Sequence, residues 1–175
     1  LAVSARRPAE VLAYSSIGQA GYILVALAVG GPIGYAAAVL YAILNAVNKT
    51  LLFLSAGLRG PLVGAAFAIG AFSVAGIPPA AGFLGKAALF RVGIEQGSAG
   101  LVVLVLVGGA LSFVYMLRIY QRTFWATEAP GPESGQSARM LVLGLAGLLL
   151  ILGLWPEPLL AVSRDAATAL DWGAP

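Results

Sequence analysis

"AGIPPAAGFLGK", Ala75 to Lys86, decides how this chain folds. It interrupts an apolar region that runs from Leu62 to Ile94. At ~1.5 Å rise per residue, that region is too long for one straight crossing of a ~30 Å hydrocarbon layer. Fourteen residues before the break and twelve after it are each too few to cross alone. One broken helix is therefore expected, hinged at Gly76, Pro78, Pro79 and Gly82. Both prolines lack an N–H, Pro79 biases Pro78 away from helix, and the glycines permit irregular backbone. Carbonyls ahead of the prolines lose their helical partners. In lipid that is tolerable only where protein or water satisfies them.

The flanking runs set the rest of the architecture. Two apolar spans precede the break, Val11 to Val29 and Ile33 to Leu58, closed by "GGP" and "RGP". Two follow it, Ala99 to Tyr120 and Met140 to Trp155, separated by the polar loop "TEAPGPESGQS" from Thr127 to Ser137. The reading is an all-α polytopic membrane protein of about five transmembrane helices, the third broken mid-membrane. Residues 1–158 form the membrane domain, and 159–175 a short interfacial segment. In that tail Leu159, Leu160, Ala166, Ala167 and Leu170 recur at helical spacing, as in a helix lying on the membrane face. Five crossings place Arg6, Arg7, Arg59, Arg118, Arg122 and Arg139 on one side, against Arg91 and Arg164 on the other. The arginine-rich side, with the N-terminus, is then cytoplasmic, and the C-terminus lies opposite.

Composition agrees. The chain is 60% hydrophobic and 10% charged, with a mean hydropathy of +0.94. A soluble domain carries roughly 25% charged residues. The net charge of +3 is spread over 175 residues without a basic cluster, which excludes a nucleic-acid partner. Cysteine and histidine are both absent, which removes disulfides, thiolate metal sites, histidine-dependent nucleophilic catalysis and haem–histidine ligation. No cofactor or metal site is expected. The chain opens on leucine without a signal-peptide pattern, so it reads as a piece of something longer.

Between Glu10 and Glu95 there is no acidic residue, yet Lys49 and Lys86 lie well inside apolar spans. Ten residues, ~15 Å of helix, separate Lys49 from Arg59 at the span end, farther than a lysine stem can snorkel. A charge there costs several kcal/mol unless it is hydrated, paired or deprotonated, on the order given for buried ions. Taking a lysine out of water disfavours its charged form, so such a residue can accept and release a proton. Lys49 and Lys86 are therefore the proton-relay candidates. Tyr41, Asn45 and Lys49 share one helical face, flanked by Asn48 and Ser55; these side chains would order water between the lysines. Ser15, Gln19 and Tyr22, with Ser16 beside them, make a similar face on the first span, equally open to plain interhelical hydrogen bonding. With two buried lysines and no buried carboxylate, a counter-ion is expected from a missing segment or partner subunit.

"LAYSSIGQAGYI" (Leu12 to Ile23), "NKTLLFLSAG" (Asn48 to Gly57) and "AGIPPAAGFLGK" occur here in that order. The set resembles the antiporter-like proton-conducting membrane subunits: the large membrane subunits of respiratory complex I and the A-type and D-type subunits of Mrp Na⁺/H⁺ antiporters. "GLWPEPLLAV" (Gly153 to Val162) is most similar to the D-type Mrp subunits. The resemblance implies two inverted five-helix repeats inside a fourteen-helix subunit, with this chain as the last five helices. Lys49 then matches the family's central lysine of the second half, and Lys86 the lysine beside the second broken helix. The absent first half would carry the family's glutamate–lysine pair, and so the missing acid. Many relatives have histidines where this chain has Tyr41 and Asn45, which leaves the relay more dependent on water and the two lysines.

The function implied is proton translocation in a multisubunit monovalent cation/proton antiporter. Its partners would be other antiporter or membrane-arm subunits, the bilayer, H⁺ and a monovalent cation, Na⁺ first. The membrane would be a bacterial-type inner membrane. Two rival readings are a membrane-arm subunit of a complex I-like redox-driven pump, and a structural or assembly fragment without transport of its own.

Overall fold

A computed structural model describes residues 2–5, 7–125 and 135–170. Arg6 and Asp171, and with them most of the polar loop expected from Thr127 onward, lie outside the described residues. Those described are helical, with no strand among them. The elements are α1 (Pro8–Val29), α2 (Gly31–Ala56), α3 (Pro61–Ala75), α4 (Gly82–Glu95), α5 (Ala99–Tyr120), α6 (Gln136–Leu154) and α7 (Glu157–Leu170). A π-helical turn, Gln121–Trp125, extends α5.

Punctuation in the sequence sets these boundaries. Pro8, Pro32 and Pro61 sit in the first turns of α1, α2 and α3, where a missing N–H leaves no helical bond unmade. Gly30 and Gly31 both have positive φ, +70° and +65°, and so reverse the chain between α1 and α2. Ser98 accepts the Leu101 amide through its side chain and caps α5. Among the described residues, four helices are long and apolar enough to cross a membrane: α1, α2, α5 with its π turn, and α6. The remaining crossing is the interrupted one, with α3 at 15 residues and α4 at 14. The protein is a multi-pass membrane protein of about five crossings, the third one broken.

The chain ends of α3 and α4 show how the break is made. Gly76 follows α3 in the left-handed conformation, φ +83°. Its amide reaches the Ser73 carbonyl, and the Ile77 amide reaches that of Phe72, at 3.0 and 2.9 Å. This paired cap satisfies the Phe72 and Ser73 carbonyls in the last turn of α3. The Ala81 amide donates to the Leu149 carbonyl on α6 at 3.0 Å, and the Gly82 amide to the Ser73 hydroxyl at 2.8 Å. Protein atoms therefore satisfy several groups of the irregular backbone, one of the two solutions open to it in lipid.

At the centre is α2, which packs on α1, α3, α4, α6 and α7. Leu51 and Leu52 are fully buried there, as are Leu12, Phe67, Leu89 and Leu149 on neighbouring helices. Water does not drive helix association inside lipid, so close packing and buried polar contacts must carry it. The tail helix forms, and its longest contact is with α2. Leu159, Ser163 and Ala167 are its buried stripe, while Leu170, expected on the apolar face, is exposed. A small serine and alanine let α7 approach α2 closely, which a larger apolar residue would prevent.

Candidate functional site

Lys49 and Lys86 are 8% and 7% exposed, and each is reached from α1. The Lys49 ammonium donates to the Ser15 hydroxyl at 2.6 Å. The Lys86 ammonium stands 5.0 Å from the centroid of the Tyr22 ring, a cation–π contact. Between them, the Tyr41 hydroxyl donates to Gln19 Oε1. The Tyr22 and Tyr41 rings pack with centroids 5.5 Å apart. Ser15, Gln19 and Tyr22 follow i, i+4 and i+7, so one stripe of α1 touches Lys49, Tyr41 and Lys86 in turn. From Ser15 to Tyr22 the helix rises ~10 Å.

The α2 residues divide. Tyr41, Asn45 and Asn48 line a small cavity of about 10 Å³ with Gln19 and Ser73. That is room for about one water molecule. Asn48 Oδ1 is buried there, and among the described residues no side chain or amide donates to it. Ser55 is different: its hydroxyl donates back to its own helix, at the Leu51 and Leu52 carbonyls, and no bond links it to either lysine. On α1, Ser16 likewise donates to the Leu12 carbonyl, while Ser15 turns inward. Lone-serine back-bonding of this kind is common in helices and cannot be told from an inward role by spacing alone.

Lys86 depends on the break in a specific way. Its stem folds back over Gly76, and a Cβ at that position would overlap the Lys86 side chain. Gly85 makes the matching allowance for Tyr41, whose ring lies 2.9 Å from where a Cβ would stand. The break therefore seats Lys86 as well as interrupting the helix. Lys86 Nζ has no hydrogen-bond partner among the described residues. It lines a mainly apolar cavity of about 710 Å³ with Ile77, Phe83, Phe90 and Phe113, and Arg91 and Glu95 also belong to that lining. The Pro78–Pro79 peptide is cis.

Neither lysine has an ion-pair partner among the described residues. The ion pairs there are Arg7–Glu10 and Arg91–Glu95, at 2.9 and 2.6 Å, both at exposed positions. A further set of polar groups is not among those that sequence spacing singled out. Ser15 also meets the Tyr115 hydroxyl at 2.8 Å; Tyr115 donates to Ser112 at 3.0 Å, and Ser112 to the Gly108 carbonyl at 2.6 Å. Gly108, Ser112 and Tyr115 all belong to α5. The available signal was their i, i+4, i+7 spacing on an otherwise apolar helix.

Comparison with known proteins places the fold. The family model described as "NADH:quinone oxidoreductase/Mrp antiporter, TM" matches residues 6–60 and 57–112. The F(420)H(2) dehydrogenase subunit N of Methanosarcina mazei is 30% identical over 206 residues, covering 97% of this chain and 41% of that protein. The NADH-quinone oxidoreductase subunit N of Geobacter metallireducens is 36% identical over 171 residues, covering 86% and 36%. Among solved structures, an Mrp complex from Dietzia sp. DQ12-45-1b superposes with a TM-score of 0.86 at 26% identity, covering 95% of this chain and 43% of that one. Respiratory complex I from Thermus thermophilus with bound aureothin gives 0.73 at 32%, covering 91% and 41%. The chain spans about two fifths of the length of these relatives. By the family match and the fold together, it belongs to the family of NADH:quinone oxidoreductase and Mrp antiporter transmembrane subunits.

Proposed function

We propose that this chain is the second-half repeat of an antiporter-like subunit and relays protons through Lys49 and Lys86. Its setting would be a multisubunit monovalent cation/proton antiporter, exchanging Na⁺, in a bacterial-type cell membrane with the N-terminus cytoplasmic. One observation carries this reading: two buried lysines sit at opposite ends of a single polar stripe on α1, and neither is ion-paired with a carboxylate among the described residues. The ~10 Å between their contact points is several hydrogen-bond lengths. A proton crossing it needs intermediates. Tyr41, Asn45 and Asn48, with Gln19, would hold the water that supplies them, beside the cavity they share. The hinge of Gly76, Pro78, Pro79 and Gly82 would seat Lys86 at the far end. The first half of the subunit would provide the carboxylate that both lysines lack here.

The relatives named as oxidoreductase subunits favour a second reading, a membrane arm of a redox-driven proton pump. Co-purifying partners separate the two. The deciding experiment uses everted vesicles from cells lacking other Na⁺/H⁺ antiporters and expressing the full subunit set. A pH gradient is imposed and a ΔpH dye followed after adding Na⁺, for wild type and Lys86→Ala at equal abundance. Collapse by Na⁺ only when Lys86 is present supports the relay. Equal collapse in both would remove Lys86 as an obligatory carrier.

A further inference from the structure

The hydroxyl chain on α5 has no part in the proposed relay, and its geometry is directional. Lys49 donates to Ser15, Tyr115 donates to Ser112, and Ser112 donates to the Gly108 carbonyl. The Ser15–Tyr115 bond joins these runs at 2.8 Å. Because Tyr115 gives its one proton to Ser112, it must accept from Ser15. All the bonds therefore run in one sense, away from Lys49, and a hydroxyl lone pair faces the ammonium. The chain ends on a backbone carbonyl, which accepts a hydrogen bond but passes no proton onward. A conducting wire would not end there. An anchor would.

The members are well placed to hold a position. Ser15, Ser112 and Tyr115 are 3%, 2% and 7% exposed. Tyr115 is packed among Val11, Leu12, Leu52 and Met116, so its ring has little freedom apart from the hydroxyl. Three helices meet at Ser15: α1 carries it, α2 brings Lys49, and α5 brings Tyr115. Lysine has a long, flexible stem and three rotatable donors, so the location of its amine depends on what receives it.

We propose that Tyr115 is a positioning residue for Lys49, acting through Ser15 and itself held by Ser112. This inference rests on the relay reading, and it places the determinant of the Lys49 amine on α5 rather than on α2. Removing the Tyr115 hydroxyl frees Ser15 to rotate, and the Lys49 amine then samples positions off the α1 stripe.

The test compares Lys49→Ala, Tyr115→Phe, Ser15→Ala and the Tyr115→Phe/Ser15→Ala double variant in the complete complex, by the vesicle assay at equal abundance. Lys49→Ala is expected to abolish Na⁺-driven collapse. Tyr115→Phe and Ser15→Ala are each expected to lower the maximal rate about three- to tenfold, the range that losing one buried hydrogen bond brings. The half-saturating Na⁺ concentration should stay unchanged. The double variant should be no slower than the slower single, because both break the same chain. Wild-type rates in Tyr115→Phe alongside an inactive Lys49→Ala would overturn the positioning role and leave the relay standing. So would losses that multiply in the double variant. Full transport in Lys49→Ala would overturn both. Should Tyr115→Phe not assemble, Ser112→Ala, which removes only the anchor of Tyr115, carries the same expectations.

Discussion

The Ser73 hydroxyl accepts the Gly82 amide at 2.8 Å, so the two halves of the broken helix are tied to each other across the break. Gly82 can approach only because it lacks a side chain; a Cβ there would overlap the Ser73 carbonyl. Ser73→Ala would strand a buried amide, at a cost of about 1–3 kcal/mol. The thermal unfolding midpoint of the detergent-solubilised complex should fall accordingly. A wild-type midpoint would mean that the contact contributes nothing and that the prolines alone define the break.

Gly76 should tolerate substitution worse than Gly57, although both follow helices. Gly76 has φ +83°, and the Lys86 stem lies across it; Gly57 has φ −85° and ordinary space around it. Gly76→Ala is expected to cost about 1–2 kcal/mol from backbone alone, with displacement of Lys86 added. Gly57→Ala should stay within about 0.5 kcal/mol of wild type. The comparison is made by thermal unfolding, and transport should fall in Gly76→Ala alone. Equal behaviour of the two would contradict the seat described for Lys86.

At Gly108 the obstacle is a single atom group. A Cβ there would overlap the Tyr22 hydroxyl, with the ring carbon behind it 3.0 Å away. Gly108→Ala should therefore lower abundance by pushing Tyr22 aside, and Tyr22→Phe in the same chain should restore most of it. The phenol contributes only a 3.3 Å bond to the Leu104 carbonyl, so its loss costs little. No recovery in the double variant would place the conflict elsewhere.

Asn48 offers a separation of stability from transport. Its buried oxygen has no partner among the described residues, so Asn48→Leu removes no protein hydrogen bond there. Abundance should remain at the wild-type level. If the residue orders water for the relay, Na⁺-driven collapse should slow by about the factor that one lost hydrogen bond brings. Unchanged transport would take Asn48 off the path.

The exposed Arg91–Glu95 pair is expected to matter little. It lies one turn apart at the end of α4, and surface pairs of this kind contribute about 0.3–0.5 kcal/mol. Glu95→Gln should leave the unfolding midpoint and transport close to wild type. A large loss would make Glu95 part of the proton path.

By itself the sequence determined the class of fold and the identity of the unusual residues. Span lengths are a matter of rise per residue against bilayer thickness, and Gly30-Gly31-Pro32, Arg59-Gly60-Pro61 and Ala75 to Gly82 punctuate them locally. Lys49 and Lys86 stood out because a charge in an apolar run is costly wherever the helix lies. Tertiary structure decided which polar groups face one another. Spacing marked Ser15, Gln19 and Tyr22 as one face of α1, but not that this face would touch Lys49, Tyr41 and Lys86. It placed Ser55 with the lysines, whereas that hydroxyl bonds its own helix. It passed over Ser112 and Tyr115, which connect to Lys49 only through Ser15 and stand 63 and 66 positions farther along the chain. Periodicity reports which residues share one helix face. Which helix that face meets depends on how the seven described helices pack together, and no local pattern encodes it.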